Sequence, residues 1–163
     1  MKKRLLIILP VVIMLLFNAT QTSAQAAKIP PFRIIQQDGK VFKAEQLPLN
    51  KPIIIIYFDP GCDHCQVLVT DLLRRWKDFE KASIAMITFV PVDDLKKFSK
   101  DYNLPKYPNI YAGTEGTNYF VRNYFRIVQM PFLALFNKNG AFIVSYTRQV
   151  PLDDLKNKLL PLK

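Results

Sequence analysis

Three residues able to carry chemistry stand within four positions: Cys62, His64 and Cys65, in the stretch YFDPGCDHCQ over residues 57–66. They are the only two cysteines and the only histidine of the chain. Two thiols at this spacing fit a structural clip, a metal site or a redox pair. The clip is the weakest of these, because closing so short a loop removes little entropy from the unfolded chain. A closed zinc site wants four ligands, and no further Cys or His exists to complete one. Carboxylates or a second subunit would have to supply the rest, which leaves a redox-inert or metal-handling module for copper or zinc as the alternative reading. Covalent haem needs a His directly after the second cysteine, and Gln66 stands there.

The redox reading depends on where the elements place the pair. Pro52 introduces IIIIYF over residues 53–58, a continuous β-branched and aromatic run expected of a central strand covered on both faces. From Cys65 the pattern turns helical: Leu68, Leu72, Trp76 and Phe79 recur at spacings of three or four with charged residues between them. Cys62 therefore falls between a strand end and a helix start. Unpaired amides and the positive end of the helix dipole at such a position favour thiolate over thiol. Cys62 is the expected solvent-side attacking sulfur, and Cys65, one turn on, the more buried resolving sulfur. An imidazole at His64 would stabilise a Cys62 thiolate, whereas a carboxylate at Asp63 would oppose it.

Other segments complete an α/β pattern. After a short Ala-Lys-Ile-Pro-Pro linker, residues 32–35 and 41–42 flank an Asp38-Gly39 turn and read as a hairpin. A second apolar run at 84–90, followed by a helical segment to about Lys100, gives a strand-helix-strand-helix succession that implies parallel pairing. The aromatic-rich segment 102–129 suggests a short strand near Ile110-Tyr111 and a helix over 117–125, its rings packing on the sheet rather than facing a substrate. Residues 132–136 and 141–146 bracket an Asn139-Gly140 hairpin turn, and Pro151 opens a last amphipathic helix. Met130-Pro131 stands just before the first of those strands.

At 163 residues, half of them apolar, the chain has the material for one domain. Its start reads as a targeting segment: a basic Lys2-Lys3-Arg4, an apolar run over residues 5–17 too short for an ordinary span, then small-x-Ala sites ending at Ala24 and Ala26. Residues 1–26 are thus expected to be a signal peptide and 27–163 the domain, with no stable membrane insertion once the signal is removed. Export is the expectation, to the periplasm, with secretion or anchoring through an uncleaved segment as alternatives. A lipoprotein is excluded, because no cysteine lies near the cleavage sites. The formal charge is +10, and loss of the three basic residues at the start leaves +7. The remaining cations are dispersed among acids with no run of five or more, which argues against nucleic-acid binding.

The strand, the GCDHC loop, the amphipathic helix and the later MPFLALFNKNG strand-turn together resemble the thioredoxin fold, and within it the exported TlpA-type thiol-disulfide oxidoreductases, whose domains often open with a hairpin like FRIIQQDGKVF. The resemblance covers most of residues 29–162. It implies a central mixed β-sheet flanked by helices with an N-terminal β-hairpin extension, Cys62 as nucleophile, Cys65 as resolving thiol, and Pro131 as a cis-proline facing the pair. Met130, Gly61 and Asp63 are then expected around the substrate groove. It further implies protein clients bearing thiols or disulfides, and a soluble or membrane electron-exchange partner. The cysteine pair holds the electrons, so no dissociable cofactor is needed and no metal is assigned. Two departures stand out. Ile56 occupies the place of the buried acid of cytosolic reductases, so Asp59, Asp63 or water must take its part, and Asp-His replaces their Gly-Pro between the cysteines. A peroxiredoxin-like peroxidase fits less well, since Asp59 stands where those enzymes place Thr or Ser.

Overall fold

The computed structural model describes residues 28–48 and 50–162. The expected signal peptide, residues 1–26, lies outside the described residues. Seven strands form one sheet: β1 (Arg33–Ile35), β2 (Val41–Lys43), β3 (Ile53–Tyr57), β4 (Ser83–Thr88), β5 (Ile110–Thr114), β6 (Phe132–Phe136) and β7 (Phe142–Thr147). Their order is β2-β1-β5-β4-β3-β6-β7. β4 runs parallel to β3 and to β5, as the strand-helix succession requires, while β6, β7 and the β1–β2 hairpin are antiparallel. This is the expected mixed sheet, with the N-terminal hairpin attached to the edge of β5 through Ile35 and Thr114.

The apolar run of β3 is continuous because the sheet is covered on both sides. Ile54 and Ile56 point into one core with Leu68, Leu72, Leu95 and Leu155, whereas Ile53, Ile55 and Tyr57 point into a second with Phe32, Val121 and Ile127. β6 divides in the same way, Leu133 and Leu135 to the first core and Phe132, Ala134 and Phe136 to the second. The first core lies under α1 (Asp63–Arg74), α2 (Trp76–Phe79), α3 (Val92–Asp101) and α5 (Leu152–Leu159); the second lies under α4 (Phe120–Tyr124) and the entering chain.

Three local expectations are corrected. The helix expected over 117–125 is divided: a 3-10 turn, Gly116–Asn118, gives way to α4 at Tyr119, whose φ of 47° no continuous helix accommodates. The helical stretch from the cysteines to Phe79 breaks at Arg75, so α2 is a separate turn. The Ala-Lys-Ile-Pro-Pro stretch is read as a linker, and its described part is docked instead: Lys28 bridges to Ala141 and Ile29 packs on the second core. Several aromatics of 102–129 do pack, Tyr102 on Phe98, Tyr107 on Trp76, Tyr111 on Phe42 and Phe125 on Phe132, whereas Phe120 and Tyr124 stay exposed.

Candidate active site

Between the end of β3 and the start of α1, four residues make a tight turn. Asp59 folds its carboxylate onto the backbone, Oδ1 accepting the Gly61 N–H at 2.8 Å, and the Asp59 carbonyl accepts the Cys62 N–H at 3.0 Å. Cys62 is the N-cap of α1, with extended backbone angles of −92° and 120°. Its carbonyl takes the first two helical amides, from Cys65 and Gln66, both at 3.0 Å. Gln66 braces the turn from the other side, Nε2 donating to the Pro60 carbonyl at 2.8 Å. The strand, the turn and the helix thus fix where both sulfurs sit.

The two thiols occupy different surroundings. Both are free, Cys62 partly exposed and Cys65 fully buried in the first core. Burial pushes the Cys65 thiol up to about 12. The Asp59 backbone amide pulls it down, while a hydrogen bond to Cys62 and the nearby Cys62 and Asp59 charges hold the proton on. The arrangement is an outer sulfur partly open to solvent and a buried inner one that holds its proton.

His64 and Asp63 are exposed on the first turn of α1, and neither makes a side-chain hydrogen bond among the described residues. Both line a groove of about 380 Å³ that runs between α1 and the segment following β7. Pro131 closes its floor, Val67 and Leu68 form one wall, and Arg148, Gln149, Val150 and Leu152 the other. The Met130-Pro131 bond is cis, and the Pro131 carbonyl accepts the Arg148 N–H at 2.8 Å, which fastens the far wall to the proline. Met130 is half-buried against both cores and does not line this groove. Gly61 opens instead onto a second cleft of about 680 Å³, beside Asp59, Pro60, Gln66 and Tyr102.

The wall at residues 148–152 escaped the sequence reading. Its one sequence signal is Pro151, which marks the start of α5, while the left-handed φ of 65° at Arg148 has no glycine or asparagine to announce it. Asp59 was foreseen only as a stand-in for the missing buried acid; its structural part is to shape the turn.

Among the described residues, no group of three or more His, Cys, Asp and Glu side chains is placed to hold a metal ion. Cys65 is buried while His64 and Asp63 point outward, so the local donors do not converge.

No protein-family model and no curated protein matches the chain in sequence. Solved structures do match it in shape. DsbF of MTB, in mixed oxidised and reduced forms, superposes with a TM-score of 0.68 at 19% identity, covering 82% of this chain and 96% of that one. A secreted Mycobacterium tuberculosis disulfide oxidoreductase homologous to E. coli DsbE gives 0.67 at 16% identity, over 81% of this chain and 96% of that one. Arabidopsis thaliana ScoI, solved with copper bound, gives 0.65 at 16% identity, over 83% and 97%. At such identities the likeness is one of architecture, and with the mixed sheet and the cysteines at a strand-to-helix junction it establishes that this chain has the thioredoxin fold.

Proposed function

We propose that the chain is an extracytoplasmic thiol-disulfide oxidoreductase acting on protein clients through Cys62 and Cys65. The observation that carries this reading is the contrast between the two sulfurs, Cys62 reachable at the N-cap of α1 and Cys65 sealed beneath it with its proton retained. In the reducing direction the Cys62 thiolate attacks one sulfur of a client disulfide. The client S–S bond breaks, a Cys62-client disulfide forms, and the departing client thiolate takes up a proton. Cys65 then loses its proton and attacks Cys62 Sγ, releasing the second client thiolate and leaving a Cys62–Cys65 disulfide. Two electrons have passed from the pair to the client. The same steps reversed oxidise a client dithiol.

The remaining site residues have positioning parts. Pro131, Asp63 and His64 border the groove beside the pair, an imidazolium at His64 would attract a thiolate at Cys62, and Met130 packs on both cores next to the proline. Gly61 takes part in the turn through its N–H, which donates to Asp59 Oδ1 at 2.8 Å. Residues 1–26 would direct export to the periplasm and be removed.

The test is insulin reduction driven by a dithiol. The wild-type chain is expected to accelerate it and Cys62→Ser to abolish the acceleration, while Cys65→Ser should accumulate the Cys62-client disulfide. Equal behaviour of wild type and Cys62→Ser would overturn the reading. A reduction potential near that of thioredoxin, roughly −270 mV, would assign a reductase, and one near that of DsbA, about −120 mV, an oxidant.

A second reading, metal handling, is favoured by the likeness to a copper-bound ScoI. Stoichiometric retention of copper or zinc through dialysis, lost in Cys62→Ser, would support it.

A further inference from the structure

We infer that the α4 face of the molecule is a docking surface for an anionic lipid bilayer. α4 is turned so that Val121 is buried and Phe125 stacks on Phe132 and Phe136, which leaves Phe120 and Tyr124, one turn apart, on the outside. Each is 42% exposed, and Val128 just beyond is 85% exposed. Aromatic and aliphatic side chains grouped on one outer surface mark an interaction site, and rings with a polar tip suit the lipid headgroup region.

The charges around this patch have one sign. Exposed Lys28 and Arg126 flank it, and Arg122 lies over the rings of Phe89 and Tyr119. From residue 116 to residue 152 the sequence contains no Asp or Glu and four basic residues. Eight of the 13 acidic residues stand on α1, α2, α3 and α5, over the opposite core. Glu115, the acid closest in sequence to α4, is buried and turned inward, Oε2 accepting the Val121 N–H at 2.8 Å. Asp38 and Glu45, in the hairpin region, are paired with Lys40 and Lys43. The α4 face therefore offers cations and apolar rings without free carboxylates, which complements an anionic, amphipathic surface.

The chain itself points the same way. The described residues begin at Lys28, whose carbonyl accepts the Tyr124 hydroxyl at 2.9 Å. The 27 residues before it, with their basic start and apolar run over 5–17, therefore join the domain within this patch. Where that segment is kept in a membrane, the α4 face is the part of the domain it joins. Val128 precedes Met130 and Pro131 by two and three residues, so docking would bring the segment leading to the proline of the α1 groove toward the bilayer.

The experiment places a fluorescent reporter on the face, in the full chain. Phe120→Trp is added to vesicles of phosphatidylglycerol and phosphatidylethanolamine with brominated acyl chains, and the native Trp76, beyond the opposite core, serves as reference. The Phe120→Trp emission is expected to shift blue and be quenched while wild-type emission stays unchanged. Arg126→Gln in that background should lower the docked population about fivefold, the effect of one cation near an anionic surface. Val128→Trp is the second reporter should Phe120→Trp fold poorly. Vesicle-bound protein in which neither reporter is quenched, or in which Trp76 is quenched instead, would overturn the inference. So would equal quenching on neutral phosphatidylcholine, or a reporter that responds to polyglutamate and not to vesicles. None of these readouts depends on the chemistry at Cys62.

Discussion

Asp59 and Cys62 are locked to each other by the main chain: the Cys62 amide donates to the Asp59 carbonyl at 3.0 Å, and the Asp59 carboxylate takes the amide of the intervening Gly61 at 2.8 Å. The side chain of Asp59 therefore shapes the turn from which Cys62 is presented. Asp59→Ala removes that acceptor and is expected to destabilise the protein by about 1 kcal/mol and to slow client exchange several-fold. Asp59→Asn keeps an acceptor oxygen in place and should stay near wild type in stability. Urea midpoints and insulin turnover check both; equal loss of stability in Asn and Ala variants would mean that charge, not the turn, is what matters.

Burial of Cys65 makes a prediction about pH. Its thiol is raised from 9.0 to about 12, chiefly by burial, so it remains protonated across the neutral and mildly alkaline range. Reduced native protein treated with iodoacetamide at about pH 8 should take up one adduct, on Cys62, and a second only after denaturation; mass spectrometry reads the count. Folding favours the protonated thiol, so its contribution is complete below 9.0 and is lost as pH rises toward about 12. In reduced Cys62→Ala, stability should fall by about 1.4 kcal/mol for each pH unit in that window. The double variant lacking both thiols should not show that slope.

Gly113 sits where β5 meets the hairpin, and an added Cβ would stand 2.6 Å from Ile34 Cγ1 and 2.7 Å from Ile34 Cβ. Ile34 is completely buried and has nowhere to retreat. Gly113→Ala should cost about 1–3 kcal/mol by overpacking, seen as a lower urea midpoint. Ile34→Ala, which removes Cγ1 and Cδ1, should cost less in the Gly113→Ala background than in the wild type, because the two side chains occupy one space.

Gly113 also shows which parts of the fold the sequence made legible. The Asp38-Gly39 hairpin, the two-faced β3 and the cysteine pair at a strand-to-helix junction could be read because each rests on a local rule of turn chemistry, apolar continuity or helical periodicity. The contact between Gly113 and Ile34 could not, because it joins residues nearly 80 positions apart and follows from strand order. The same holds for the groove. Pro131 is marked in the sequence by its place before β6, but the far wall at Arg148 and Val150 arrives through the β6–β7 hairpin and a left-handed residue that carries no signature. The helix expected over 117–125 failed for a related reason: local propensity allowed it, and the Val121 amide was taken instead by Glu115, a residue from the end of β5.

Asn109 is the buried polar residue with most at stake for the fold. Its Oδ1 accepts the Trp76 indole N–H at 2.7 Å, and its Nδ2 donates to the carbonyls of Phe79 and Ala82 at 3.1 and 2.9 Å. One side chain thus ties α2 and the entry to β4 onto the start of β5. Asn109→Ala leaves the indole and the Ala82 carbonyl without these partners, while the Phe79 carbonyl keeps the Ala82 amide at 3.0 Å. The expected loss is about 2–4 kcal/mol. Asn109→Asp should be worse at neutral pH, since it keeps the indole but aims a buried negative charge at two carbonyl oxygens. Burial and those carbonyls would raise the introduced carboxyl above its usual value of about 4. The deficit should therefore shrink as pH falls toward 4 and the protonated acid donates to one carbonyl again. Denaturation midpoints of the two variants at neutral and acid pH measure this. An Asp variant that stays below the Ala variant at both would show that the geometry at Asn109, rather than donor and acceptor identity, holds α2 in place.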